Sequence, residues 1–339
     1  MKIFSSVFPL LFLSIASVAQ KDSSKTEVDS LTIRENLKAA YLEKMAWENP
    51  LLRQGALYTD VFAGGNIKSN LYGQPFFKGK YQAVRTNAYF SIPLLHIGKN
   101  LVTASVGASH QTIHLTDIVN YNPEMAVENR VEHNTLLSPS FNFSRSDKLF
   151  SLPVIFSVTA SGLIEPISGQ TQFSATGLAM VTLRHNDKTT LSVGVIGMVG
   201  PGAPFPVIPV ISYFHKFKPD LSVSLNPSGL AFRKEINSGN SVSLSGSIAS
   251  NISLFKRDVV NIPVEHSFST FEMKTGIVYE HLFSRKIVTT VSVGASSMFT
   301  SKVVDGNSGS NTFIKNTQST VPYVRVGVSF LPFWKGLSN

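Results

Sequence analysis

The amino-acid sequence predicts an all-β fold, an antiparallel transmembrane β-barrel of about 12–14 strands with a short N-terminal helix. Three observations predict it. From Gly55 onward apolar and polar residues alternate with a period of two, over segments longer than the roughly 5–6 residues usual in soluble sheets. The polar faces carry Ser, Thr, Gly and Asn, and the chain is only 15% charged, where a solvated surface would carry about 25–35%. Aromatic residues gather at strand ends: Tyr213, Phe214 and Phe217; Tyr279 and Phe283; Phe330, Phe333 and Trp334. A soluble sandwich, the competing architecture, would turn its polar face to water and charge it. The alternation therefore reads as apolar toward lipid and polar toward a lumen.

The elements follow in order. Residues 1–19 have the three regions of an export signal: Lys2, the apolar stretch Val7 to Leu13, and Ser17-Val18-Ala19 as a small-residue cleavage site after Ala19. The apolar stretch is shorter than the roughly 20 residues of a membrane helix. Residues 20–54 are a polar segment and an amphipathic helix from Thr32 to about Trp47. Its stripe is Ile33, Leu37, Ala40, Tyr41 and Met45, Thr32 and Glu35 form a capping box, and Asn49-Pro50 stops it. It serves either as a plug or docking helix, or as a helix packed under the barrel mouth. Residues 55–334 form the barrel and 335–339 a tail. Leu191 to Phe214 is uncharged but carries four Gly and four Pro, so it fails as a helix and reads as strand, turn, strand.

Alternation is clearest in Ser241 to Phe255, where Val242, Leu244, Gly246, Ile248, Ile252 and Leu254 oppose Ser241, Ser243, Ser245, Ser247, Asn251 and Ser253. Phe150 to Ala160, Ile287 to Phe299 and Tyr323 to Phe330 repeat it. Tight turns are expected near Ser146-Asp147, Asn186-Asp187, Lys218-Pro219-Asp220, Ser238-Gly239 and Ser284-Arg285, on the periplasmic side. Long outer connections are expected at Asn66 to Lys80, Thr116 to Arg130, Arg257 to Ser267 and Lys302 to Asn316. Splitting Leu221 to Ile236 at Asn226-Pro227-Ser228-Gly229 brings the count to an even 14, as single-chain bacterial barrels prefer; demoting the first strand gives 12.

With the signal ending Val18-Ala19-Gln20 and the last strand Arg325-Val326-Gly327-Val328-Ser329-Phe330, the chain resembles an outer-membrane β-barrel of the Bacteroidota type. Arg325, Gly327 and Phe330 match the polar, glycine, aromatic pattern that barrel assembly machinery reads in that class. Pro332 stands where the class has a hydrophobic residue, and nine residues follow Phe330. The segments Asn49 to Gly55 (NPLLRQG) and Pro227 to Arg233 (PSGLAFR) resemble segments of an uncharacterised barrel domain family, which would imply a fold without a function. The strand number and N-terminal plug are also similar to those of long-chain fatty acid transporter barrels, in architecture only.

The chain has no Cys, which excludes disulfides, Cys-zinc sites and thiol nucleophiles. No catalytic, cofactor or metal residue is assigned. His110 and His114 share the apolar face of one strand without a carboxylate, a weak metal signal. His281 reads as a member of an aromatic girdle and His185 as a turn residue. No Gly-x-Ser-x-Gly elbow stands in a strand-to-helix setting, so a lipid-modifying enzyme is the least favoured reading.

Charges on the polar faces are more informative. Arg85 sits with Asn87; Glu272 shares a face with Lys274; Arg325 lies on the lumen face of the last strand and Asp60 on that of the first. Barrel closure makes those two strands neighbours, so Asp60 and Arg325 can pair. Two readings stay open for the five: a constriction that selects solutes by charge, or a network that fills and rigidifies the lumen. The net charge of +9 is scattered, with no basic run for nucleic acid, and suits anionic lipid head groups or solutes. The expected function is passage of small solutes, amphiphilic ones among them, through the bacterial outer membrane. A non-conducting structural or surface-interaction barrel is the alternative. The expected partners are outer-membrane lipids, the assembly machinery and a small solute.

Overall fold

The computed structural model describes residues 30–122, 125, 127–200, 206–256, 263–305 and 311–333, without the side chains of residues 30–38. The expected signal and its cleavage point, the capping pair Thr32/Glu35, Trp334 and the tail 335–339 lie outside the described residues or side chains.

The described residues form one helix, a 3-10 turn and fifteen antiparallel strands. The helix α1 (Ser30–Glu48) ends two residues before the 3-10 turn Pro50–Leu52, where Asn49 accepts the Leu51 amide at 3.2 Å. The chain divides at Lys44/Met45 into two compact units. Within the second, it is Ala46 and Trp47 that are buried, against Val288 and Leu331, while Met45 of the predicted stripe is exposed.

The strands are β1 (Gly55–Leu71), β2 (Gln74–Ile97), β3 (Asn100–Asn120), β4 (Arg130–Leu149), β5 (Leu152–Ile164), β6 (Thr171–His185), β7 (Thr189–Val199) and β8 (Val207–Lys218). They continue as β9 (Leu221–Asn226), β10 (Gly229–Asn237), β11 (Asn240–Lys256), β12 (Glu265–Ser284), β13 (Ile287–Asp305), β14 (Thr312–Gln318) and β15 (Val321–Phe330). Each pairs with its sequence neighbour from β1 to β13. The ring then closes because β14 and β15 both lie between β13 and β1, β14 on the outer half and β15 on the inner half. They are one stave interrupted at Ser319-Thr320, so fifteen strands make fourteen staves. Closure leaves no edge along the inner half, and Val106, Phe141, Val158, Ile211, Leu244, Ile277 and Val326 form an exposed outward belt.

Two expectations about the turns need correction. The predicted long connection at Asn66 to Lys80 is not a loop: β1 and β2 run on as one tall hairpin closed by Tyr72-Gly73, both in left-handed backbone (φ 48° and 84°). The turn predicted at Ser146-Asp147 lies instead at Phe150-Ser151, also left-handed at both positions (φ 49° and 70°), so Phe150 does not begin β5. Both are two-residue hairpins whose twist matches the strands, built without the Asn-Gly or Asp-Gly that usually announces them.

The staves differ greatly in height. β2 has 24 residues, more than twice the roughly 9–11 a tilted spanning strand needs, whereas β9 has 6. β5 pairs with β4 only from Leu137 inward, and β10 pairs with β11 only from Ser247 inward. Beyond those points the edges of β4 and β11 meet each other: Asn134 Nδ2 donates to the Leu254 carbonyl at 2.8 Å. Leu254, expected on the lipid face, is buried at this seam. The eight tall staves thus form a narrower outer ring around a core of Phe62, Ile67, Phe76, Phe77, Tyr81, Leu115, Phe313 and their neighbours.

Candidate functional site: two lumen chambers and a charged septum

Strand alternation turns every second side chain inward, and the inward rows change chemistry along their length. On β3 the row is Gln111, Ile113, Leu115; on β2 it is Arg85, Ala83, Tyr81. Moving outward, each goes from polar to apolar. The structure brings all five charged residues singled out in the sequence to the level where the change occurs.

There they form one network. Asp60 lies directly opposite Arg325 in the β1–β15 register and accepts from its Nε and Nη2 at 2.6 and 2.9 Å. The same carboxylate accepts from Lys274 Nζ at 2.7 Å. Lys274 also lies 3.2 Å from Glu272, which accepts from Arg85 Nη1 at 2.7 Å and from Asn251 at 3.1 Å. Arg85 Nε donates to Gln111 at 2.8 Å. Asp60 and Glu272 are fully buried. Phe62 covers the outer side of this layer, with Lys274 Nζ 4.9 Å and the Arg85 guanidinium 5.3 Å from its ring.

Above the septum lies a cavity of about 460 Å³, walled mainly by Phe62, Phe77, Ile113, Phe268, Met298 and Phe313. Polar residues share the lining: Arg85 and Gln111 from the septum, and Ser69, Arg130, Glu132, His266, Thr270, Asn316 and Gln318. Below the septum is a second cavity of about 340 Å³ whose wall sets Ser222, Ser224, Ser243 and Ser245, with Arg53, Arg233 and Glu280, among apolar side chains such as Leu57, Phe214 and Val328. Glu280 receives two guanidinium groups, Arg53 at 2.7 Å and Arg233 at 2.5 Å. Trp47 lies over Arg233 at 4.6 Å, and Arg53 also donates to Ser329 Oγ at 3.0 Å and to the Ala46 carbonyl at 3.3 Å. Chain entry into the barrel is therefore fastened at its inner mouth.

Sequence reading missed Arg53, Arg233 and Glu280. Glu280 follows Glu272 and Lys274 on the same alternating face of β12, and Arg233 sits at a lumen position of β10, so parity alone would have found both. Arg53 precedes the first strand and carries no periodic signal. Phe214, expected in the girdle, lines the lower cavity beneath Lys216, while on the opposite face of the strand Tyr213 stacks on His215 and His215 meets Phe217 edge to face.

His110 and His114 are both exposed. His110 stacks on His133 at 6.1 Å and bonds Thr135 Oγ1 at 2.8 Å. Among the described residues no group of three or more His, Asp or Glu could hold a metal ion. Of the expected assembly residues, Gly327 packs where a Cβ would come within 2.8 Å of Tyr58 Cβ, and Phe330 closes the register opposite Gly55.

No family model and no curated protein matches the chain. Among solved structures it is similar to an outer membrane channel from Pseudomonas putida F1 (9% identity, 81% of this chain and 96% of that one, TM-score 0.36). It is also similar to a Pseudomonas aeruginosa FadL homologue (11% identity, 85% and 94%, TM-score 0.37). A third is the translocator domain of the autotransporter NalP from Neisseria meningitidis (8% identity, 89% and 96%, TM-score 0.29). The barrel itself rests on the closed ring of strand pairings.

Proposed function

We propose that this protein is a bacterial outer-membrane barrel, of the Bacteroidota type, through which small apolar or amphiphilic solutes pass. The observation that carries the reading is the apolar cavity of about 460 Å³ in the outer half of the lumen, closed beneath by the ion-pair septum. An ordinary water-filled pore has a polar interior; a mostly apolar chamber instead suits a ligand that is itself apolar over most of its surface. The outward apolar belt and the exposed Phe217, Tyr279, Phe283 and Phe333 at strand ends support a membrane setting. Export through residues 1–19, and insertion guided by Arg325, Gly327 and Phe330, belong to the same reading.

The double variant Ile113→Trp/Met298→Trp adds two indoles to the chamber wall. Binding of a naphthylamine dye that brightens in apolar surroundings is expected to fall at least about tenfold, the loss of one or two good apolar contacts. Dye passage into proteoliposomes is expected to fall with it, while the folded band on an unheated gel is kept. Wild-type levels of both in the variant overturn the reading. The septum favours a second reading, a non-conducting barrel whose lumen is structural; it predicts neither binding nor passage of dye by the wild type.

A further inference from the structure

Two carboxylates line the lower cavity; Lys216 takes Glu48, which leaves Glu280 alone to balance the two buried arginines. Arg53 and Arg233 are both more than nine-tenths buried, and they share the single carboxylate Glu280. Arg53 Nη2 and the Nε and Nη2 of Arg233 have no hydrogen-bond partner in the protein. Across the septum Arg325, Lys274 and Arg85 meet only Asp60 and Glu272. Four buried cations and the partly exposed Arg325 therefore face three carboxylates. Burying an uncompensated charge with unmade donors is costly, and a guanidinium fork is matched by a group presenting two oxygens.

We infer that the Arg53–Arg233 pair is an oxyanion-binding site at the inner mouth of the barrel, taking a phosphoryl or carboxylate group in the serine-lined chamber. Trp47 lies over one face of Arg233, and the buried Nε and Nη2 of Arg233, without a partner in the protein, are the donors left for the anion. The hydroxyls of Ser222, Ser224, Ser243 and Ser245 line the same chamber and suit a ligand whose body carries hydroxyls. Glu280 competes with the anion for the two forks. The site does not rest on solute passage: a barrel that conducts nothing would still bind.

The test is calorimetric titration of the full chain in detergent with inorganic phosphate, acetate and glycerol phosphate. One site per chain is expected for at least one of them. Phosphate without acetate assigns the phosphoryl group, and acetate alone assigns the carboxylate. Glycerol phosphate binding tighter than phosphate assigns a role to the serine wall. Arg233→Gln is expected to weaken binding at least about tenfold, the loss of a charge-assisted bond. Glu280→Gln, which frees donors and removes the competing charge, is expected to tighten it. Arg53→Lys, which keeps charge but loses the fork, is expected to weaken it. Should a variant lose the folded gel band, the wild-type protein alone decides, through a rise of its melting temperature in phosphate over chloride of equal ionic strength. No heat with any of the three anions, an unchanged affinity in Arg233→Gln, or weaker binding in Glu280→Gln overturns the inference. The indole variant of the upper chamber leaves this titration unchanged, so the two readings fail separately.

Discussion

Replacing Asp60 with Asn tests whether the septum is held by charge or only filled by shape. The carboxylate takes three charge-assisted contacts, from Lys274 at 2.7 Å and from Arg325 at 2.6 and 2.9 Å, and is fully buried. Removing one partner of a buried ion pair costs about 3–5 kcal/mol, because the other charge stays buried. Two features pull this case to the lower end. Lys274 keeps Glu272 at 3.2 Å, and the Arg325 side chain is 29% exposed toward the lower chamber, where water screens it. The expected loss is therefore about 3 kcal/mol. Urea unfolding in lipid vesicles, read from folded and unfolded gel bands, measures it. Adding Lys274→Met removes one of the orphaned cations, so the double variant should be less destabilised than the sum of the single variants, by about 1–3 kcal/mol. A loss below about 1 kcal/mol in Asp60→Asn, or strict additivity, would refute an electrostatic septum.

Two further outcomes follow from local geometry. Gly294 faces Gly276 across β12 and β13, and a Cβ on it would lie 1.9 Å from the Thr275 carbonyl oxygen. Gly294→Ala therefore has to push these strands apart and should cost about 1–3 kcal/mol in the same urea assay, with wild-type stability counting against the close approach. Glu165, in the loop between β5 and β6, is buried, which alone would raise its carboxyl; the Ser168 side chain and the Ser168 and Ile167 amides outweigh this and hold it below its ordinary value. A depressed carboxylate stabilises the fold fully above its unfolded pKa, and this is lost as pH falls through the folded one. Protection of the Ser168 amide from hydrogen exchange should hold at about pH 6 and drop near pH 3, while Glu165→Gln should show low protection at both. Equal protection of the wild type at the two values would contradict the capping role.

How much of this was legible in the sequence depends on whether the signal was periodic. Alternation was enough for the barrel and for putting Asp60, Arg85, Glu272, Lys274 and Arg325 on inward faces; the turn sequence and an even strand count marked the split at Asn226 to Gly229, and ring closure alone brought Asp60 and Arg325 together. Long-range selection among those charges was not legible, because nothing local tells Lys274 on β12 that its second partner is on β1. The outer half failed for a different reason. The rule that apolar means lipid and polar means lumen holds only at membrane depth, and beyond it water is outside. There Tyr81, Ile113, Leu115 and Phe313 turn inward as a soluble core would, on rows that deeper down carry Arg85 and Gln111. A single row thus obeys two solvents along its length. The apolar chamber arises where they meet, so it is visible only once strand heights are known. Those heights were hidden by turns such as Tyr72-Gly73 and Phe150-Ser151, where an aromatic residue takes left-handed backbone ahead of a single ordinary turn residue. The Asn134–Leu254 contact shows the same limit: two strands far apart in the ring meet only because β5 to β10 stop short.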